Sequence, residues 1–295
     1  DINQPLFITT TIIPGRPYVK EYYDWLGRII KKETQAPNNK VLYVETKYDA
    51  LGRAYATSDP YYSGAYVKWT IKSYNELIGR LSSVTKNGQV TSYKYSGLST
   101  TETLPSGQKN TSTLNKLGQL WKTTDNANNI IETFYNNIGN PRKIIAAGVT
   151  TEMQYDKYGM QTALKDADAG TINYIYDSWG QLIKQTDAKG NIYEMTYNEV
   201  GKVLTKTLIK EGAPSETTTY EYYKSGNGIN QLEYIMLNSS NKTKYTYDAF
   251  GNMLTSTQTT PDDIFTYSYA YDDYGNNTNV TYPDNVLVEN IFDNI

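Results

Sequence analysis

The sequence predicts an all-β protein, and three observations carry that prediction. Thirty of its 295 residues are tyrosine, and tyrosine and threonine suit a pleated, half-buried surface. The strong helix formers alanine and leucine are not prominent. A short turn signature also recurs along the chain, as "YDSWGQL" at 176–182 and again as "YDAFGNM" at 247–253. A period of this length is the mark of a repeat architecture and takes precedence over any residue-by-residue reading.

The repeat reads tyrosine, Asp or Asn, two free positions, glycine. Its twelve glycines are Gly27, Gly52, Gly79, Gly97, Gly118, Gly139, Gly159, Gly180, Gly201, Gly226, Gly251 and Gly275. They lie 18 to 27 residues apart, and 20 or 21 apart from Gly97 to Gly201. The clearest anchors are Tyr23-Asp24-Gly27, Tyr48-Asp49-Gly52, Tyr155-Asp156-Gly159, Tyr176-Asp177-Gly180, Tyr197-Asn198-Gly201, Tyr247-Asp248-Gly251 and Tyr271-Asp272-Gly275. Leu114 replaces the tyrosine in one unit, Lys94 and Tyr223 replace the acid or amide, and Tyr74 lies five residues before Gly79 instead of four.

Each position has a mechanical reason. Asp or Asn at the start of a turn accepts a hydrogen bond from the backbone two residues on, and glycine takes positive φ without a Cβ penalty. A type I turn followed by a left-handed glycine is a common hairpin connection. The twelve glycines are therefore expected at positive φ or at the start of a bulge, with Gly79 and its insertion as the exception. A polar residue follows the glycine in ten units, often with an apolar one after it, as in Gly180-Gln181-Leu182. The residue before the glycine is apolar or aromatic in ten units, for example Leu26, Trp179 and Phe250. The expectation is that neighbouring hairpins stack these tips into a continuous apolar seam. Tyrosines two apart, as in "YIYD" and "YTYD", share one strand face, and Tyr155, Tyr176, Tyr197 and Tyr247 are expected to stack ring by ring across units.

A second turn lies between anchors, as in "KNGQ" at 86–89, "LPSGQ" at 104–108 and "DAKGN" at 187–191. One unit is thus two strands with a turn at each end. Twelve units give roughly 24 strands and a ribbon on the order of 115 Å wide. An open twisted sheet above about ten strands curls, splits or flattens, so a spiral sheet or hollow object is expected, with a substantial core for a chain of this length. The competing architecture is a six-bladed propeller, two units to a blade. Unequal spacings and the lack of alternation between odd and even units speak against it. Residues 1–295 read as a single repeat region.

The repeats resemble the YD repeats of the RHS (rearrangement hotspot) family, most closely at "YDSWGQLIKQTDAKGNIYEMTYNEVGKVL", residues 176–204. The resemblance runs from about Tyr18 to Tyr282. It implies a spiralling β-sheet shell that encloses a C-terminal polypeptide, often a toxin, as in bacterial polymorphic toxins and insecticidal toxin complexes, and a related adhesion shell in teneurins. The chain lacks the DPxG-rich core that in toxin members cleaves the chain through aspartates. The resemblance therefore implies the shell and not the protease.

Chemistry is narrowly bounded. With no histidine and no cysteine, Ser-His and Cys-His nucleophiles, disulfides and His- or Cys-ligated metals are excluded. A carboxylate pair needs neither, but the repeated aspartates already have turns to make. Asp166 and Asp168 in "KDADAG" are spaced like the start of a calcium loop, yet the glycine falls one place early, and a solvated turn is the better reading. Tyr22, Tyr23, Trp25, Tyr61, Tyr62, Trp69, Trp121 and Trp179 raise sugar stacking against ordinary sheet padding. A net charge of −3 gives no basic footprint for nucleic acid, and no apolar run reaches the roughly 18 residues of a spanning helix.

The expectation is a non-catalytic shell segment, without cofactor, of a bacterial secreted or cell-surface protein. Its partners are a C-terminal effector or further repeats of the same chain. The alternative is a carbohydrate-binding or adhesion module. Phe292-Asp293-Asn294-Ile295 repeats the anchor pattern up to an expected thirteenth glycine, so more repeats are expected beyond it.

Overall fold

The computed structural model describes residues 4–13, 17–36, 40–75 and 77–292. The incipient thirteenth turn at 293–295 lies outside the described residues. All regular structure among them is β, in 27 strands, and every strand pairing within each unit is antiparallel. The chain divides into two compact units, residues 1–131 with 292–295, and residues 132–291; strand β13 (Ile130–Tyr135) runs across that division in the sequence, and the other 26 strands belong to one unit or the other.

The first unit contains β1 (Phe7–Thr11), β2 (Val19–Tyr23), β3 (Ile29–Gln35), β4 (Val41–Tyr48), β5 (Ala54–Ser58), β6 (Tyr61–Tyr62), β7 (Trp69–Tyr74), β8 (Leu81–Lys86), β9 (Gln89–Ser96), β10 (Ser99–Thr103), β11 (Lys109–Leu114) and β12 (Leu120–Thr124). Strands β1 to β4 pair in chain order. Strand β4 then forks: Thr46–Tyr48 pair with β5 while Leu42 and Tyr43 pair with β6. β5 passes the ladder to β7, and β7 to β12 again follow chain order. The insertion that makes Gly52 to Gly79 the longest spacing thus builds the two-residue strand β6 and its turn.

The second unit contains β14 (Pro141–Ala146), β15 (Val149–Tyr155), β16 (Gln161–Asp166), β17 (Gly170–Tyr176), β18 (Leu182–Thr186), β19 (Ile192–Tyr197), β20 (Val203–Ile209), β21 (Glu216–Tyr222), β22 (Leu232–Leu237), β23 (Asn241–Tyr247), β24 (Met253–Thr259), β25 (Ile264–Tyr271), β26 (Asn277–Thr281) and β27 (Leu287–Glu289). Each pairs with the next, from β14 through to β27, without a break. A propeller would interrupt this ladder after every fourth strand. The propeller alternative is therefore set aside, and the open meandering sheet expected from the repeat is what forms.

The described residues do not form the expected substantial core. Among the described residues the only buried hydrophobics are Ile30, Ala36 and Ala56, and none of them is in the second unit. Most strand positions are half-buried on a single sheet layer. Cohesion must then come from ladder hydrogen bonds and cross-strand pairs. Threonine hydroxyls supply several of these between facing positions, at Thr101 and Thr111 (3.0 Å), Thr207 and Thr217 (3.0 Å) and Thr257 and Thr266 (3.1 Å).

Candidate functional site

The repeated turn is the one constellation present throughout both units, and its geometry is clearest at Gly180. Strand β17 ends at Tyr176, where the register with β18 shifts by one residue. The Asp177 N–H donates to the Gln181 carbonyl (3.0 Å), and the Gly180 N–H donates back to the Asp177 carbonyl (3.1 Å). Asp177 Oδ1 accepts the N–H groups of Trp179 (2.8 Å) and Gln181 (2.9 Å). One carboxylate oxygen thereby satisfies two backbone donors that a hairpin end leaves without ladder partners. Gly180 closes the turn at φ +80°.

Asp24, Asn115, Asn136, Asp156, Asn198, Asp248 and Asp272 hold the same two amides with their Oδ1, as does Asp49. The twelve sequence-identified glycines all have positive φ, from 57° at Gly97 to 92° at Gly139. Ten bulges fall on the anchor tyrosines or, in the unit without one, on Leu114. A bulge increases local twist, so the twist of the sheet is written into the repeat itself. The turns on the opposite edge at Asp125 and Asp187 use the same two-amide cap.

The tyrosine has a different role from the expected ring stack. Its hydroxyl reaches back one unit and donates to a backbone carbonyl. Tyr48 donates to Ile29 (3.2 Å), Tyr74 to Ala54 (2.9 Å), Tyr155 to Pro141 (2.7 Å), Tyr197 to Leu182 (2.7 Å), Tyr222 to Val203 (3.1 Å) and Tyr247 to Leu232 (3.0 Å). In the first five of these the acceptor is the second residue after the preceding glycine, beside the bulge. Of the four rings expected to stack, only Tyr247 has a ring partner among the described residues, edge-on to Tyr223 at 6.1 Å. Burial pushes the Tyr155, Tyr176, Tyr197 and Tyr247 hydroxyls above their ordinary pKa. Tyr23, in the first unit, instead stacks on Phe7 at 4.6 Å and donates to Glu21. Tyr271 ends β25 at a bulge of the same kind.

The polar residue after the left-handed position, Gly139 or Asn230, also bridges. Asn140 Nδ2 donates to the Gly159 carbonyl and Gln231 Nε2 to that of Gly251, both at 3.2 Å. Arg28 and Arg53 pair with Asp24 and Asp49 through Nε at 2.7 Å and lie over the rings of Tyr48 and Tyr74 in the next unit, 4.1 and 4.3 Å from the centroids. Asp24 is fully buried. Burial drives its carboxyl up, but the Arg28 side chain and the Arg28 and Leu26 amides outweigh that and hold it below the usual range.

Two anchors depart from the sequence assignment. At Gly97 the hairpin is a two-residue turn, with Ser96 facing Ser99, and Tyr95 rather than Tyr93 donates across units, to Leu81 at 2.8 Å. In the unit of Gly226 the loop is longer, and Asn230 at φ +63° takes the left-handed position before Gln231 and Leu232. Asn230-Gln231-Leu232 has the glycine-polar-apolar pattern with asparagine in first place, which is the signal that reading for glycine passed over.

The other candidates resolve into local structure. Asp166 Oδ1 caps its own turn through the amides of Asp168 and Ala169. Glu33 accepts hydroxyls from Tyr22 (2.7 Å) and Tyr18 (2.9 Å) and pairs with Lys20 at 3.3 Å. Burial raises its pKa, but these donors outweigh it and hold it low, the opposite of the raised pKa a general acid needs. Tyr61 donates to Glu45 and packs against Tyr43, and the Lys47 ammonium sits over Trp69. Trp25 and Trp179 are exposed turn tips.

Comparison with known proteins agrees with the geometry. The RHS repeat family model matches residues 176–212. No curated protein matches the chain. Among solved structures, the crystal structure of TcdB2-TccC3-TEV superposes with a TM-score of 0.65 at 16% identity, covering 90% of this chain and 18% of that one. The crystal structure of TcdB2-TccC3 without its hypervariable C-terminal region gives 0.56 at 14% identity, covering 94% and 20%. The Photorhabdus luminescens Tc holotoxin pore, carrying a TccC3 mutation, gives 0.54 at 15% identity, covering 95% and 20%. The chain spans about a fifth of the length of these relatives. Residues 176–212 thus match the RHS repeat by family model, the same turn geometry recurs along the chain, and the fold is that of the Tc toxin chains.

Proposed function

We propose that residues 1–295 act as one non-catalytic wall segment of an RHS shell, in a secreted or cell-surface bacterial protein, and that the shell confines a polypeptide effector of the same chain. The observation that supports this reading is the division of labour in the repeat. Asp or Asn, glycine, tyrosine and the residue after glycine all serve to close a turn or to tie one unit to the next. Residues committed to cohesion in this way make a wall. The wall acts by excluding proteases and partners from what it encloses. Limited proteolysis of the full-length protein carrying this segment tests the reading. An enclosed effector stays intact while exposed loops are nicked, and becomes cleavable when the wall is loosened by Tyr→Phe changes at Tyr155, Tyr197 and Tyr247. Cleavage of the effector at the same rate with intact and loosened walls would refute it.

A second reading, carbohydrate binding, draws support from the fork of β4. The insertion there departs from the repeat and lines a recess of about 500 Å³ with Tyr61, Tyr62 and Tyr66, beside Asp59 and Lys68. Tyr66 is 86% exposed, and exposed rings beside polar groups suit the apolar face and hydroxyls of a sugar. Binding of pyranose oligosaccharides that is lost in Tyr66→Ala is the expected signature, and an array with no bound glycan would remove this reading.

A further inference from the structure

We infer that the anchor-turn edge of the second unit is an interaction surface whose partner is the same edge of a second copy of this chain. Sequence and exposure conflict along this edge. The residue before the turn glycine is apolar in unit after unit, yet in the folded chain it faces outward. Ile138, Tyr158, Trp179 and Val200 occupy four consecutive anchor turns and are 63, 74, 87 and 70% exposed, with Phe250 further along at 55%. A single exposed apolar residue means nothing, because folded surfaces carry many. Recurrence at one register is different, since the turn asks nothing of this side chain: the hydrogen bonds run through the Asp or Asn side chain and the backbone, the N–H of this residue included. An apolar row that the fold does not use marks a contact.

Three features select the occupant. In an antiparallel meander successive turns alternate between edges, so the anchor tips lie two strands apart, about 9.6 Å. That leaves room for one side chain between neighbours, and a row with the same period can interdigitate. The opposite edge of the unit cannot supply that row, because its turn tips are small or polar: Ala147, Ala167, Ala188, Gly212 and Ser239. Head-to-tail stacking of one edge on the other would set a row of large apolar tips against a row of small or polar ones. A two-fold, tip-to-tip arrangement sets like against like, as an isologous interface requires. The five tips expose on the order of 700 Å², close to the roughly 800 Å² per partner of a standard stable interface. This inference rests on the edge alone and does not depend on the shell reading.

Sedimentation velocity on the 295-residue chain, over two decades of concentration up to about 100 μM, provides the test. The expected result is a concentration-dependent dimer. Trp179→Asp with Val200→Asp should give a monomer at all concentrations, with the far-ultraviolet circular dichroism and melting temperature of the parent. Ile264→Asp, at a 68% exposed apolar position outside the anchor tips, should dimerise as the parent does. A parent chain that stays monomeric throughout overturns the proposal. So does a tip variant that dimerises normally, or an Ile264→Asp variant that loses dimerisation equally. If the tip variant unfolds, acrylamide quenching of tryptophan fluorescence in the parent decides. Quenching that falls as the dimer forms supports burial of Trp179, and unchanged quenching refutes it.

Discussion

Replacing Gly180 by alanine isolates the cost of the left-handed position from every other feature of the repeat. Gly180 sits at φ +80°, and a Cβ there would meet only the Met160 sulfur, at 3.4 Å, an ordinary contact. Packing therefore contributes almost nothing, and the penalty is that of an L-residue forced to positive φ, about 1–2 kcal/mol. Alanine also restricts the unfolded chain, which returns about 0.4–1 kcal/mol. The net loss is about 1 kcal/mol. Asparagine tolerates the left-handed region better, and this chain already uses it there at Asn128, Asn230 and Asn285, with φ of 65°, 63° and 66°. Gly180→Asn should therefore lose less than Gly180→Ala. Hydrogen exchange of the amides in β17 and β18 is the right assay, because a repeat sheet can open locally without a single global transition. Protection should fall about fivefold for alanine and less for asparagine. Alanine indistinguishable from the parent, or asparagine worse than alanine, would refute the reasoning.

Other consequences follow from the clasps and caps. Tyr197→Phe removes the hydroxyl bonded to the Leu182 carbonyl and should cost about 1 kcal/mol, read as faster exchange in β18 and β19, whereas Tyr66→Phe should cost nothing measurable. Asp24→Ala leaves Arg28 without its buried partner and should cost about 3 kcal/mol, against about 1 kcal/mol for the more exposed Asp177→Ala; denaturant titration of both variants ranks them. Stability should be level between about pH 5 and 9, since the chain has no histidine or cysteine. The caps at Asp24, Asp49 and Asp272 have folded pKa values below the ordinary 3.8, so their contribution is present above that value and is lost as pH falls through the depressed one. Tyr22 is pushed up to about 12 by its hydrogen bond to Glu33, then by burial, so its contribution is present below pH 10 and is lost as pH rises through 12. A melting temperature that changes steadily from pH 5 to 9 would contradict this accounting.

The turn was legible in the sequence because its chemistry is local. Asp177 and Gly180 answer to hydrogen bonds within five residues, and the spacing alone reveals them. The tyrosine was legible as a repeated residue but not as a donor, because its acceptor, the Leu182 carbonyl, lies on a preceding strand that only the folded register brings close. Asn140 was visible as a polar residue after the turn without a reason, since it too acts across units. Asn230 escaped because asparagine substitutes for glycine at positive φ and breaks the letter of the pattern while keeping its geometry. The apolar tips were read by hydrophobicity as buried, but burial depends on what stands opposite, and within the unit nothing does. The core was overestimated for the same reason: length permits a core only when layers pack, and this sheet has half-buried faces.

Cryo-electron microscopy of the full-length protein that contains this segment tests the central claim most directly. The account predicts that residues 1–295 form part of a continuous wall, with the Asp-capped turns along its edges and polypeptide density enclosed by the sheet. A map in which this segment stands apart from any enclosed volume, or in which the effector lies entirely outside the wall, would contradict it.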